Sequence, residues 1–209
     1  MAPALPPPGA ELSASFGDID IYLFDQLQRG RFDRRPRVLD AGCGGGRNLT
    51  YFLRRGYACF GIDRDPAAIE QIRALAARLA PDLPRENFRT GEIDRLPWET
   101  AGMDAVIASA VLHFAPHLAH FDRMVEEMWR VLAPDGMLFA RLASNIGLED
   151  AVGAAGRQVR LPDGSTRFVV DEAMLIERTA RLGGQLLDPI KTTNVQRERC
   201  MTTWVLRKT

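Results

Sequence analysis

The sequence predicts a doubly wound α/β sheet, and three features lead to that fold. Short apolar runs alternate with helical patterns from Arg37 to Leu142, an order that calls for parallel strands joined by crossover helices. The first run, Arg37-Val38-Leu39-Asp40, opens directly into Ala41-Gly42-Cys43-Gly44-Gly45-Gly46 and then a helix. The second run, Ala58 to Ile62, ends on Asp63, 23 positions after Asp40. The 209 residues are enough for one full domain with its own core.

The elements follow in order. Residues 1–10 carry four prolines and a glycine and read as a disordered tail. Phe16, Ile19, Leu23 and Leu27 recur at helical spacing, so residues 11–30 predict one N-terminal lid helix with Gly30 as its stop. After the glycine run comes a helix with Leu49, Phe52 and Leu53. Pro66 then suits the first turn of a helix carrying Ile69, Ile72 and Leu75. A short strand at Asn87 to Thr90 precedes the loop Gly91 to Trp98, and Asp104 to Ser109 reads as a buried strand. Leu118, Phe121, Val125, Met128, Trp129 and Leu132 make a helical stripe. Pro134-Asp135-Gly136 then turns into a strand at Met137 to Leu142.

The last third changes character. Residues 144–170 read as an insertion covering the substrate, with a β-hairpin at Gln158 to Leu161 and Thr166 to Val170 around Pro162-Asp163-Gly164. Asp171 caps a helix ending before Gly183-Gly184. Two final strands, Leu186 to Val195 and Cys200 to Leu206, should pair antiparallel.

Composition narrows the function. Lys and Arg total 27, as do Asp and Glu, so the net charge is zero. That balance argues against nucleic acid or a membrane surface as partner. Cys43, Cys59 and Cys200 form no metal-ligand spacing, and their odd number fits a reducing, cytoplasmic setting. No apolar run reaches membrane-spanning length.

Glycines between a strand and a helix let the backbone approach a ligand, and the helix N-terminal N–H groups then face an anionic group. An acid closing the second strand can take both ribose hydroxyls. The dinucleotide pattern GxGxxG fails here, because Arg47 stands at the third glycine, where close helix–strand packing requires glycine. No GxxxxGK[ST] sequence is present either. Nicotinamide cofactors and nucleoside triphosphates are therefore disfavoured.

Val38-Leu39-Asp40-Ala41-Gly42-Cys43-Gly44-Gly45-Gly46 closely resembles the nucleotide loop of class I S-adenosylmethionine-dependent methyltransferases. Three further segments resemble that family in matching order: Gly61-Ile62-Asp63-Arg64-Asp65, Gly91 to Trp98, and Arg130 to Leu138. The resemblance implies a Rossmann-like, seven-stranded, mostly parallel sheet with one antiparallel strand near the C-terminus, S-adenosylmethionine as cofactor and a small-molecule acceptor as substrate. It places Asp40, Gly42, Cys43 and Gly44 against the methionine part of the cofactor. Asp63 falls on the ribose hydroxyls, and Arg64 beside the adenine. Glu92, where the family commonly has Asp, falls near the adenine amine with the Ile93 amide. Ser109 and Ala110 border the sulfonium.

Other residues are weighed on their own chemistry. His113, just past the fourth strand, is a candidate catalytic base, against a packed histidine donating to a carbonyl. His113, His117 and His120 have a ligand-like spacing, but Pro116 separates the first from the helix, so no metal is expected. Arg141 and Arg167 are candidates for the substrate mouth, against solvated charge. Phe16 and Tyr22 are candidates for a pocket-lining lid. The segment Gly42 to Leu49 is also similar to tellurite-resistance methyltransferases, and a non-catalytic cofactor-binding regulator is the rival from another class.

Overall fold

The computed structural model describes residues 9–147, 157–161 and 164–209. The proline-rich tail therefore lies almost wholly outside the described residues, as do much of the 144–170 insertion and the tip of its hairpin.

The parallel half of the sheet is laid down by β1 (Arg37–Ala41), β2 (Ala58–Asp63), β3 (Phe88–Thr90), β4 (Met103–Ser109) and β5 (Leu132–Ser144). Its order is β3-β2-β1-β4-β5, all neighbours parallel. β10 (Arg199–Lys208) pairs antiparallel with β5. On its far side β10 holds both β8 (Gly184–Leu186) and β9 (Lys191–Val195). These two short strands share the seventh position. The single strand expected over Leu186 to Val195 is thus broken in the middle. Pro189 cannot donate to a ladder, and Asp188 turns aside to take the Arg31 guanidinium through two bonds of 2.8 Å.

Local signals explain the helices. α4 (Pro66–Leu79) starts with Asp65 as N-cap, accepting from the Ala67 N–H, and Pro66 in its first turn. α5 (Leu118–Val131) turns Phe121, Met124, Val125 and Met128 into the core. α6 (Glu172–Arg181) is capped by Asp171, which accepts from the Met174 N–H at 2.7 Å. α3 (Thr50–Arg54) is a short helix behind the glycine loop. The expected turn at Pro134 to Gly136 is absorbed into β5 as an irregularity: Leu132 pairs with Met103, and the next pair is Met137 with Ala105.

The N-terminal region departs from expectation. The single helix foreseen over residues 11–30 is two, α1 (Ala10–Phe16) and α2 (Ile21–Gln28). Gly17 takes φ 61°, which ends the first. Asp20 restarts the second by accepting from the Tyr22 N–H. The hairpin of the last third is present as β6 (Gln158–Arg160) and β7 (Thr166–Phe168).

Alternation along the central strands builds a core on each face. Leu39, Val106, Ala108, Leu138 and Ala140 pack toward α5 and α6, with Phe121, Met128 and Trp204. Val38, Ala105, Ile107 and Phe139 pack toward Leu23, Phe52, Ile69 and Ile72 of α2, α3 and α4. Burial of each valine, leucine, isoleucine, methionine or phenylalanine among them contributes about 1.5–3 kcal/mol. Among the described residues no helix is long and apolar enough to cross a membrane.

Candidate functional site

The site is assembled at the carboxyl ends of the strands, where β1 has β2 on one side and β4 on the other. In open α/β sheets that point of reversal opens a crevice for ligands. The loop after β1 is drawn against β2, because the Gly42 and Cys43 N–H groups both donate to the Ile62 carbonyl, at 2.8 and 3.0 Å. Gly42 is required there: its φ is +82°, and a Cβ would lie 2.2 Å from Val111. Gly44 also has positive φ, and a Cβ on it would meet nothing within 4 Å, so the loop keeps its outer side open.

Asp63, the last residue of β2, locks onto this loop. Its Oδ2 accepts from the Gly44 N–H at 2.9 Å and its Oδ1 from the Asp65 N–H at 3.0 Å. Each oxygen keeps further acceptor capacity. The carboxylate therefore has a fixed orientation.

A cleft of about 480 Å³ opens over these strand ends. Gly42, Asp63 and Arg64 line one side, Glu92 and Ile93 the next, and Ser109 and Ala110 the floor after β4. Seven of the residues singled out in the sequence thus converge on one cavity. Cys43 and Gly44 border an adjoining hollow with Gly42, Arg47 and Ser109. Ala110 holds a left-handed φ of 63°, and its N–H donates to the Arg141 carbonyl at 2.8 Å. That φ carries a steric cost for alanine, and it sits at the mouth of the cleft.

Asp40 does not line the cleft. It is fully buried beneath the loop, and among the described residues no donor meets either oxygen with hydrogen-bond geometry. Burial pushes its carboxyl up to about 7, with Asp63 adding to the rise and Arg47 opposing it. Cys43 is buried, and burial raises its thiol far above the ordinary range, so it is no nucleophile.

Several residues that shape the site have no clear local signal in the sequence. Arg47 donates from Nη2 to Ser109 Oγ at 3.1 Å and from Nη1 to the Asp18 carbonyl at 3.3 Å. Asp20 is buried; its Oδ2 accepts from Ser109 Oγ at 2.8 Å and from Arg141 Nη1 at 3.1 Å. Phe114, His120 and Met124 complete the cleft wall. Only the Arg47 position in the glycine loop carried a hint. Asp20 lies 89 residues from Ser109, beyond any local pattern.

The acceptor-side candidates fall differently. A second cavity of about 340 Å³ shares Ala110 and Phe114 with the cleft, and Arg141, Arg167 and His113 line it. His113 is corrected as a base: its Nδ1 accepts from the Ala143 N–H at 3.3 Å, leaving the ring proton on Nε2. Burial, with Arg167 and Arg141 nearby, lowers its pKa to about 4. The imidazole is therefore a neutral donor. His117 instead caps α5, its Nδ1 accepting from the His120 N–H, so the three histidines do not share one helical face. Phe16 is also corrected. Its ring packs against Phe24 and stacks on Tyr51, 4.9 and 5.1 Å between centroids, and it lines neither cavity. Tyr22 lies with its ring under the Arg141 guanidinium at 4.9 Å and its hydroxyl hydrogen-bonded to Thr193. It positions Arg141 and lines neither cavity.

A doubly wound sheet with a glycine loop and the strand-end Asp63 beside one cleft is an arrangement that suits a nucleoside cofactor. Residues 39–140, just under half of the chain, match the family model for a methyltransferase domain. It is 30% identical over 126 residues to an uncharacterised methyltransferase, YodH, of Bacillus subtilis, covering 60% of this chain and 48% of that protein. It is 35% identical over 123 residues to a ubiquinone biosynthesis O-methyltransferase of Methylocella silvestris, covering 57% and 46%. The chain thus spans about half the length of these curated relatives. In fold it is similar to the crystal structure of Burkholderia thailandensis 1,6-didemethyltoxoflavin-N1-methyltransferase, with a TM-score of 0.62 and 19% identity, over 100% of this chain and 93% of that one.

Proposed function

We propose that the protein transfers a methyl group from S-adenosylmethionine to a small-molecule acceptor. The observation that carries this reading is the convergence of Gly42, Asp63, Arg64, Glu92, Ile93, Ser109 and Ala110 on one cleft, beside the buried Asp40 carboxyl. Asn48 approaches that carboxyl without meeting strict hydrogen-bond geometry, which leaves acceptor capacity for a ligand that brings a donor or a positive charge. The open side of Gly44 suits close passage of a ligand along the backbone.

In this assignment Asp63, already oriented by two amides, accepts from the ribose hydroxyls. Arg64, Glu92 and the Ile93 amide meet the adenine. Asp40 and the Gly42–Gly44 loop hold the methionine end, and Ser109 and Ala110 border the sulfonium. The cofactor, when bound, supplies a methyl group already activated by positive sulfur. The chain's task is then alignment and exclusion of water, and positioning alone can supply roughly 7–11 kcal/mol. The neutral, donor-only His113 agrees with a reaction in which the protein needs no base at that place.

Titration calorimetry with S-adenosylhomocysteine tests the reading, with NAD as control. Binding of the adenosyl compound alone is expected; absence of any binding would end the assignment. Formation of S-adenosylhomocysteine from S-adenosylmethionine on adding an acceptor then separates an enzyme from a binding protein.

A further inference from the structure

The second cavity carries an excess of positive charge that nothing in the cofactor assignment uses. Among the described residues three guanidinium groups line it, Arg141, Arg167 and Arg199, and no carboxylate does. Arg141 is already matched, since Asp20 takes its Nη1 at 3.1 Å. Arg167 is held over the Phe114 ring at 4.8 Å, and its only hydrogen bond among the described residues goes to the Thr166 carbonyl. Among the described residues, no acid lies within ion-pairing distance of Arg167 or Arg199. His113 adds a neutral donor.

The remaining walls are mainly apolar, with Leu161 from the hairpin, Val195 from β9 and Met201 from β10, and Ser165 adds one hydroxyl. The cavity joins the cleft through Ala110 and Phe114, which border both. It thus opens onto the strand end where Ser109 and Ala110 stand. Guanidinium forks in an apolar, partly enclosed setting select planar oxyanions, because the charge is poorly screened and two N–H groups can bond at once. A volume of about 340 Å³ matches one ring or a short chain bearing such a group.

We propose that this cavity is the acceptor site and that the acceptor is a small organic oxyanion with an apolar body, its anionic group bound by Arg167 and Arg199. The proposal rests on the reading that the adjoining cleft takes S-adenosylmethionine. Arg141 is a positioning residue here, fixed by Asp20 and Tyr22. Arg199 stands at the exposed rim, and Arg167 holds the inner side.

The test uses the full chain, with and without saturating S-adenosylhomocysteine. Benzoate, phenyl phosphate and benzamide are titrated calorimetrically at matched concentrations. Benzoate or phenyl phosphate should bind, more weakly as salt rises, while uncharged benzamide should not. Arg199→Gln and Arg167→Gln should each weaken the anion about tenfold, the step expected for losing one charge-assisted hydrogen bond. Both variants should leave S-adenosylhomocysteine affinity unchanged, which also certifies their fold. Preference for phenyl phosphate over benzoate would assign a phosphate acceptor, and the reverse a carboxylate. Equal binding of benzamide, failure of both anions at millimolar concentration, or anion affinity unchanged in both variants would overturn the proposal. Should benzoate bind and depend on Arg199 while S-adenosylhomocysteine does not bind, the cofactor reading fails and the anion site stands.

Discussion

Two carboxyls on the neighbouring strands β1 and β2 are set to opposite tasks by their surroundings. Asp63 has an amide on each oxygen and faces the cleft. Replacing it with Ala should weaken S-adenosylhomocysteine by about 1.5–3 kcal/mol, the range for hydrogen bonds to a charged group. Calorimetry on a variant whose urea midpoint is close to wild type would check this, and unchanged affinity would remove Asp63 from the site. Asp40 is buried, among the described residues no donor meets it with hydrogen-bond geometry, and its pKa rises from 3.8 to about 7. Over that interval the folded state holds a proton that the unfolded chain has released. Stability of the ligand-free protein should therefore fall as pH rises from about 4 to about 7, and stay level above. Asp40→Asn should remove this slope, seen by comparing urea unfolding of the two proteins at several pH values. A ligand that brings positive charge to Asp40 should expel the proton. Cofactor affinity should then increase across the same interval, and its binding heat should change with the buffer's ionisation enthalpy. A variant as pH-dependent as the wild type would show that another group is responsible.

At the scale of elements, the short link between α1 and α2 does more than join them. Asp20 caps α2, accepts from the Ser109 hydroxyl at the end of β4, and neutralises Arg141 on β5. One side chain thereby fixes the N-terminal helix over two strand ends. Asp20→Ala removes a cap and leaves Arg141 unmatched, and about 2–3 kcal/mol of stability should be lost, judged from typical cap and buried-pair losses and discounted for the partial exposure of Arg141. Asp20→Asn keeps the cap and should lose clearly less; equal losses would mean that the cap contributes nothing, and no loss in Asp20→Asn that the ion pair contributes nothing. The strained strand end at Ala110 gives a complementary expectation. Ala110→Gly should be neutral or stabilising by up to about 1 kcal/mol, because glycine adopts that φ without the steric cost. Ala110→Val should destabilise, and denaturation of the pair decides. What could be read from the sequence divides along the same line. Pro66 and Asp171 announced their helices because a first-turn proline and a cap act within three residues of the helix start. The glycine loop and the acids closing β1 and β2 announced the cleft because strand, turn and helix follow one another in the chain. Asp20 and the break at Pro189 gave no such notice, and Arg47 only by its place in the loop, since their partners come from elements distant in sequence. Phe16 had the right period for a lid, but periodicity does not say which neighbour an aromatic ring will find, and Tyr51 was that neighbour.

For the whole molecule, the two N-terminal helices are not equivalent attachments. No residue of α1 is buried, whereas Leu23 of α2 is fully enclosed with Val38 and Phe52. Removal of residues 1–17 should leave the sheet and S-adenosylhomocysteine binding nearly intact. Removal of residues 1–28 takes Leu23 and Asp20 and should destabilise by at least the ~2–5 kcal/mol of a deleted core leucine. Thermal and urea unfolding of the two truncations would show the contrast, and similar stabilities would mean that α2 is an appendage rather than part of the fold. The sheet itself tolerates the irregular β8–β9 edge because β10 supplies a continuous ladder beside it.

The enclosed cysteines make this same architecture observable in solution. Cys43 sits in the loop beneath the cleft, and Cys59 lies in the middle of β2 between the helices and the sheet. Neither sulfur can meet a labelling reagent until the backbone around it opens, and regions of a protein open at different free energies. Cys59 should label only as fast as the whole sheet comes apart. Cys43 should label by a smaller excursion of the glycine loop, and a ligand held across that loop would slow it without slowing Cys59 to the same degree. Mass spectrometry of a timed alkylation would therefore read the breathing of the nucleotide loop separately from the melting of the domain, with no probe added to the chain.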